Sequence, residues 1–300
     1  MKKVLITGVA GFIGSHIARR FLKEKFNVIG IDDLSTGSRK NIPKNIKFIK
    51  SDISKKKTLK KLPKNIDYIL HLAGQSSGEI SFYDPVTDLN KNTLSTLNLI
   101  NYGIKVGAKK ILYASSMSVY GKLNKRKFAE IDNCYPLSCY GNSKLSSEKY
   151  LEIFKNKLPY VSLRMFSVYG PGQDLKNLKQ GMVSIYLAQA LKKNSILVKG
   201  SLTRERDFIY IDDVVESWFR ATINQKCYNL SINVGTGKST KVKELLNLII
   251  KIFKVKIKLA GPTFGDQNRV CSNNNLLKRK LKIKNFISLK DGLKYFLKSL

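Results

Sequence analysis

The feature that most restricts this chain is a glycine series near its start. Lys3–Thr7 is a short apolar run. Thr7-Gly8-Val9-Ala10-Gly11-Phe12-Ile13-Gly14 follows it and opens a helical pattern over Phe12–Lys23. Strand, glycine turn and helix are the first half of a βαβ unit. The glycines permit a tight turn, let the backbone approach a pyrophosphate, and bring the helix close to the sheet. The start of that helix offers free N–H groups and a positive dipole end to phosphates. The spacing is GxxGxxG rather than GxGxxG, and three glycines alone are a weak signal, because loop geometry uses them too. Context strengthens it: Asp32 ends the next apolar run, 18 residues after Gly14. A carboxylate there accepts hydrogen bonds from an adenosine ribose and repels a 2′-phosphate, so the expected cofactor is NAD rather than NADP. The competing reading of Asp32 is a turn-forming pair with Asp33.

The rest of the first two-thirds continues the alternation. Strands are expected at Lys3–Thr7, Asn27–Asp32, Ile46–Lys50, Tyr68–Leu72, Lys110–Ser115 and Tyr160–Arg164. Helices are expected at Phe12–Lys23, Leu89–Val106, Ser138–Phe154 and Met182–Lys192. The strand runs are continuously apolar, as strands buried on both faces are. This predicts an α/β fold, a doubly wound parallel-sheet Rossmann domain with a smaller, interwoven C-terminal substrate lobe. The Rossmann part spans 1–168, with 207–236 returning to it through a strand at Tyr228–Val234. The lobe takes 169–206 and 237–300, with two or three lysine-rich amphipathic helices after Val242.

Composition narrows the partners. The chain has 300 residues and a formal net charge of +34, and only 10 of its 55 basic residues are Arg. A basic chain invites a nucleic-acid reading, but these lysines are spread over nearly every exposed segment without a dominant run. The expectation is a solvated lysine surface, with no nucleic-acid and no membrane partner, that helps attract anionic substrates at low salt. No stretch approaches the roughly 18 apolar residues of a membrane span. The four cysteines form no CxxC pair, which predicts no metal site and fits a reducing, cytoplasmic setting.

Tyr140 and Lys144 form a YxxxK pair on a predicted helix, so both side chains share a face one turn apart. A phenol with a reference pKa near ~10 is a poor base at neutral pH. A neighbouring ammonium and a positive nicotinamide ring both favour the phenolate, which makes Tyr140 an acid/base candidate. By itself the pattern is more often a solvated amphipathic face.

The GxxGxxG turn, Asp32, Ser51-Asp52-Ile53 and His71-Leu72-Ala73-Gly74 together resemble the extended short-chain dehydrogenases/reductases. Within them the chain is similar to the NAD-dependent epimerase/dehydratases of the UDP-glucose 4-epimerase group, over nearly its whole length. The resemblance implies that Gly8, Gly11, Phe12, Ile13, Gly14 and Asp32 hold NAD. It gives Asp52 and Ile53 to the adenine, and Leu72, Ala73, Gly74 and Asn92 to the rest of the cofactor. Tyr113-Ala114-Ser115-Ser116-Met117-Ser118-Val119-Tyr120-Gly121 is similar to the family's serine segment. Counting back from Val-Tyr-Gly puts the catalytic hydroxyl at Ser116, with Ser115 as the alternative. Ser116, Tyr140 and Lys144 are then the catalytic set. Relatives that dehydrate carry an Asp-Glu pair directly after that hydroxyl. Met117 and Ser118 stand here, which favours epimerisation.

The same resemblance implies a nucleotide-sugar substrate, a UDP-sugar first among them. Leu163–Pro171 is similar to the family's LRxFNVYGP segment, with Ser167 in place of Asn, and Arg206-Asp207-Phe208 to the segment whose Arg binds the diphosphate. A fork of guanidinium donors suits phosphate. Asp266 is expected at the nucleotide ribose. Thr263 stands where a second phosphate-binding Arg is usual, so Arg204 or Arg269 is expected to compensate, or the nucleotide differs from UDP. Ser76 and Ser77, in a loop Gln75–Ser81, are expected beside the hexose, and the position gating the sugar's 2-substituent falls near Val270. The helices Leu89–Val106 and Ser138–Phe154 resemble the pair through which relatives form homodimers. Against the C4 epimerase stand an NDP-sugar oxidoreductase, an epimerase at another carbon, and a non-catalytic NAD-binding protein with a basic RNA- or protein-binding surface.

Overall fold

A computed structural model describes residues 1–123, 125–178, 181–261 and 267–300. Six short buried runs become strands β1 (Lys3–Thr7), β2 (Asn27–Asp32), β3 (Lys47–Lys50), β4 (Tyr68–His71), β5 (Lys110–Ser116) and β6 (Tyr160–Met165). A seventh, Leu230–Val234, arrives late in the chain and pairs with β6. All pairings in this sheet are parallel. The order from one edge is Leu230–Val234, β6, β5, β4, β1, β2, β3. Chain order runs outward in both directions from β1, so the crossover reverses between β1 and β4. In a doubly wound sheet the ligand crevice lies outside the strand carboxyl ends at that reversal.

Alternation within the strands feeds two apolar layers. Val4 and Ile6 of β1 face one layer with helix Phe12–Lys23 and helix Ile211–Ile223, where Phe21, Phe219 and the fully buried Trp218 pack. Leu5 faces the other, with Leu99 and Ile100 of helix Ser95–Lys105 and Leu151 of helix Cys139–Ile153. Both faces are covered, which is why the strands read as unbroken apolar runs.

The helix expected at Leu89–Val106 is a composite. It begins at Pro85, where the Asp84 side chain accepts from Thr87 N at 2.9 Å. A π turn at Asn90–Leu94 then precedes the regular helix Ser95–Lys105. The carbonyl of Asn92 is shared by the hydroxyls of Thr96, Ser95 and Ser147, at 2.7, 3.1 and 3.3 Å. Hydroxyls that bond back to backbone carbonyls loosen the regular helical ladder.

The smaller lobe contains helix Met182–Lys192, as expected, and a parallel strand pair, Ser195–Lys199 with Lys256–Ala260. Glu205–Arg206 is the middle strand of a small three-stranded sheet. The tail supplies three helices, Val242–Phe253, Asn275–Leu281 and Leu289–Lys298. Among the described residues no helix is long and apolar enough to cross a membrane.

Candidate functional site

The carboxyl ends of the strands and the smaller lobe enclose a cleft of about 1190 Å³. Its floor begins at the glycine turn. Gly8 takes φ +70°, and a Cβ there would stand 2.7 Å from Ala73 N, so the turn lies directly against Leu72-Ala73. A Cβ on Gly14 would meet Gly8 O at 2.1 Å, which fixes how closely the helix starting at Phe12 approaches the turn. Gly8, Gly11, Phe12, Ile13, Gly14, Asp32, Asp52, Ile53, Leu72, Ala73 and Gly74 all line this one cleft.

Asp32 closes β2 almost fully buried, its carboxylate accepting from Ala10 N at 3.0 Å and Leu34 N at 2.8 Å. Burial pushes its pKa up, opposed by those two N–H donors. The carboxylate therefore braces the glycine turn as well as facing the cleft. Lys91 adds something sequence reading missed. Its ammonium bridges Asp33 at 2.5 Å and Asp52 at 3.0 Å, joining the ends of β2 and β3 across this wall. Burial works against that ammonium, but the two carboxylates raise its pKa. Asn92 is fully buried beneath Gly74, whose Cβ would fall 2.4 Å from Asn92 Oδ1. It supports the cleft wall from behind and is not among the lining residues.

At the end of β5, adjacent serines face opposite ways, as strand geometry requires. Ser115 Oγ donates to Glu148 Oε1 at 2.5 Å, inside a buried pair in which Arg164 Nη2 reaches Glu148 Oε2 at 2.6 Å. Ser116 Oγ accepts from Ser118 N at 3.1 Å and lies near enough to Tyr140 to favour its phenolate. Both serines line the cleft, but the Ser115 hydroxyl is committed to Glu148 while Ser116 lies on the Tyr140 side. Ser138 caps the next helix by accepting from Gly141 N at 3.0 Å, and that helix carries Tyr140 and Lys144 into the cleft. Lys144 Nζ lies 5.6 Å from the Tyr140 ring centroid and 5.0 Å from that of Tyr113. Burial pushes the Tyr140 phenol up to about 12, with the Ser116 hydroxyl opposing and Asp88 reinforcing the rise. Burial lowers the Lys144 ammonium to about 8, with Asp88 opposing. His71, behind them, is held neutral because burial and then Lys144 take its pKa down to about 3.

The far end of the cleft is built by the lobe. Ser167 and Val270 line it, as do Arg204 and Arg206, both nearly buried. Burial, then the charge of Arg204, depress Arg206 to about 10. Arg269 instead grips Glu205 with two hydrogen bonds, at 2.7 and 3.0 Å, and lies outside the lining. Of the two arginines expected to compensate for Thr263, Arg204 lines this cleft and Arg269 does not. Asp266 and Thr263 lie outside the described residues.

One expectation changes. Gln75–Ser81 is not all loop, since a helix starts at Gly78, and Ser77 is its cap, accepting from Ile80 N at 3.3 Å. Ser77 is buried and does not line the cleft, whereas Ser76 does. Asp88 is a further buried acid that sequence reading missed. Its signal was present: it precedes Asn92 by four residues, one helical turn on the same face.

Comparison with known proteins agrees with this geometry. The family model described as "NAD dependent epimerase/dehydratase family" matches residues 4–235. The UDP-glucose 4-epimerase of Mycolicibacterium smegmatis is 30% identical over 302 residues, spanning 97% of this chain and 96% of the relative. The UDP-glucose 4-epimerase of Thermotoga maritima, solved with UDP-glucose, superposes with a TM-score of 0.94 at 32% identity, covering 99% and 98% of the two chains. The UDP-N-acetylglucosamine 4-epimerase of Methanobrevibacter ruminantium, solved with UDP-N-acetylmuramic acid, gives 0.93 at 30% identity, covering 99% and 97%. With its glycine turn, Ser116–Tyr140–Lys144 cluster and two-lobed cleft, the chain belongs to the NAD-dependent epimerase/dehydratase family.

Proposed function

We propose that the protein is an NAD-dependent epimerase acting at C4 of a UDP-hexose or UDP-N-acetylhexosamine. The observation that carries this reading is the Ser116–Tyr140–Lys144 cluster followed by Met117 and Ser118, with no carboxylate in the next two positions to serve as a second acid/base. The close backbone approach at Gly8 and Gly14 and the carboxylate of Asp32 fit a dinucleotide along the glycine turn. NAD held along Gly8, Gly14 and Asp32 would supply a reversible hydride acceptor and a positive ring charge. Tyr140 accepts the proton of the sugar's 4-hydroxyl, helped by the nearby Lys144 ammonium. Ser116 hydrogen-bonds that oxygen and orients it as the carbonyl forms. Arg206, with Arg204 beside it, anchors the diphosphate while the 4-keto sugar turns over and presents its other face. Tyr140 then returns the proton. Met117 and Ser118 offer no group to expel water, so the intermediate goes back to a hexose. Incubation with a panel of NDP-sugars should yield C4 epimers without stoichiometric NADH. Build-up of free NADH would mark a net dehydrogenase and overturn the assignment.

An enzyme that regenerates its cofactor each turnover retains it, so NAD should stay bound through purification. Asp32→Ala is expected to empty the site, because it removes both the ribose acceptor and the brace on Ala10 N. Nucleotide released on denaturation reads this directly. An Asp32→Ala protein that keeps its NAD, or a native protein that releases only NADP, contradicts the ribose assignment.

The assembly proposed is a homodimer through the helices around residues 78–105 and helix Cys139–Ile153. This surface leaves Tyr83 at 82%, Val86 at 65% and Ile153 at 70% exposure. Large apolar side chains left this exposed are common on association faces. Sedimentation at micromolar concentration is expected to give a dimer, and a stable monomer would count against it.

A further inference from the structure

Asp88 is only 1% exposed and accepts hydrogen bonds from three walls of the site. Its Oδ1 takes Gln75 Nε2 and Asn92 Nδ2, each at 3.0 Å, and its Oδ2 takes Ser143 Oγ at 2.6 Å. Gln75 also grips Ser77, donating to its carbonyl at 2.8 Å and accepting from its N–H, which shapes the loop that carries Ser76. Asn92 backs the Gly74 wall. Ser143 lies between Tyr140 and Lys144 on the helix, and its hydroxyl also reaches Tyr140 O at 3.0 Å. A buried carboxylate persists only where donors and a nearby cation compensate its desolvation.

We propose that Asp88 is a positioning residue for proton transfer, one that joins these three walls and whose charge sets the balance between Tyr140 and Lys144. This rests on the acid–base role proposed for Tyr140. The ionisable groups its charge reaches are Tyr140 and Lys144 on the helix; next to that pair lie the neutral His71 of β4, which feels Lys144, and Tyr113 of β5, which feels Tyr140 and whose phenol burial keeps protonated. Lys91, on the neighbouring π turn, is committed to Asp33 and Asp52. The carboxylate favours the Lys144 ammonium, against the lowering that burial imposes, and disfavours the Tyr140 phenolate, in the same direction as burial. Asp88 thus holds the lysine charged in a buried site and in return delays ionisation of the phenol.

Asp88→Asn separates charge from geometry. The amide oxygen still accepts from Gln75 and Asn92, and Ser143 can turn to accept from the amide nitrogen. The active form needs an ionised Tyr140 and a charged Lys144, so the two apparent pKa values of this pair bound the pH–rate profile on either side. Removing the negative charge lowers both apparent pKa values, so the whole bell should move by about one pH unit toward acid with NAD content unchanged. Ser143→Ala, which keeps the carboxylate, should leave the bell in place even where turnover falls. A purely structural Asp88 would lower the rate without moving the bell, and an Asp88→Asn profile superimposable on the native one overturns the proposal. Should Asp88→Asn turn over too slowly, acylation of Lys144 in the NAD-bound protein, read by peptide mass spectrometry against pH, decides the matter. Its midpoint is expected at lower pH in the variant, and an unchanged midpoint refutes the charge role. If the native protein epimerises no NDP-sugar, the proposed function fails, while the Lys144 midpoint still tests Asp88.

Discussion

Tyr140→Phe is expected to lower turnover by at least ~10²–10⁴-fold while NAD and substrate still bind, because general acid–base assistance is worth that much. The phenol stands near Ser116 and beside the Lys144 ammonium. Phe keeps the ring over Lys144 and removes only the proton carrier. Steady-state kinetics with bound-NAD quantification and nucleotide-sugar binding separates chemistry from binding. Near-normal turnover by Tyr140→Phe would move the acid/base elsewhere in the cleft.

Gly14→Ala should have a comparably large effect by a different route. The added Cβ would stand 2.1 Å from Gly8 O, 2.9 Å from Gly8 C and 3.1 Å from Val9 Cα. All three are backbone atoms, so no side chain can swing aside. The helix must withdraw from the turn, and overpacking of this kind costs about 1–3 kcal/mol. The N–H groups meant for the pyrophosphate move with it. The variant should therefore purify without NAD and melt at a lower temperature. Gly261→Ala is the control, since a Cβ there meets nothing within 4 Å among the described residues. Stoichiometric NAD in purified Gly14→Ala would show that the turn is not where the dinucleotide binds.

These cases also show what was legible in the sequence. The glycine turn, the six early strands and the Tyr140–Lys144 pair are local patterns, set by apolar periodicity and residue spacing, and they appear within a residue or two of their expected limits. The break at Asn90–Leu94 was not legible, because it depends on Ser147 from another helix reaching the Asn92 carbonyl. The choice between Ser115 and Ser116 required knowing which face of β5 carries Glu148 and Arg164. The choice between Arg204 and Arg269 depended on Arg269 lying beside Glu205 in the small sheet, a pairing across 64 residues. The strand pair Ser195–Lys199 with Lys256–Ala260 escaped for a related reason: the first strand buries Ile196 and Val198, but in its partner Lys256 and Lys258 flank an Ile257 that is only partly buried.

The late arrival of Leu230–Val234 beside β6 bears on how the protein is made. Leu230 pairs with Val161, 69 positions earlier in the chain. At ~5–20 residues per second of synthesis, the outer edge of β6 waits about 3–14 seconds for its partner after leaving the ribosome. Throughout that interval the growing chain presents Val161, Ser162 and Leu163 as an unpaired, apolar strand edge, the kind of template on which nascent chains join one another. Synthesis of this protein thus has a vulnerable window that closes only when residue 234 emerges.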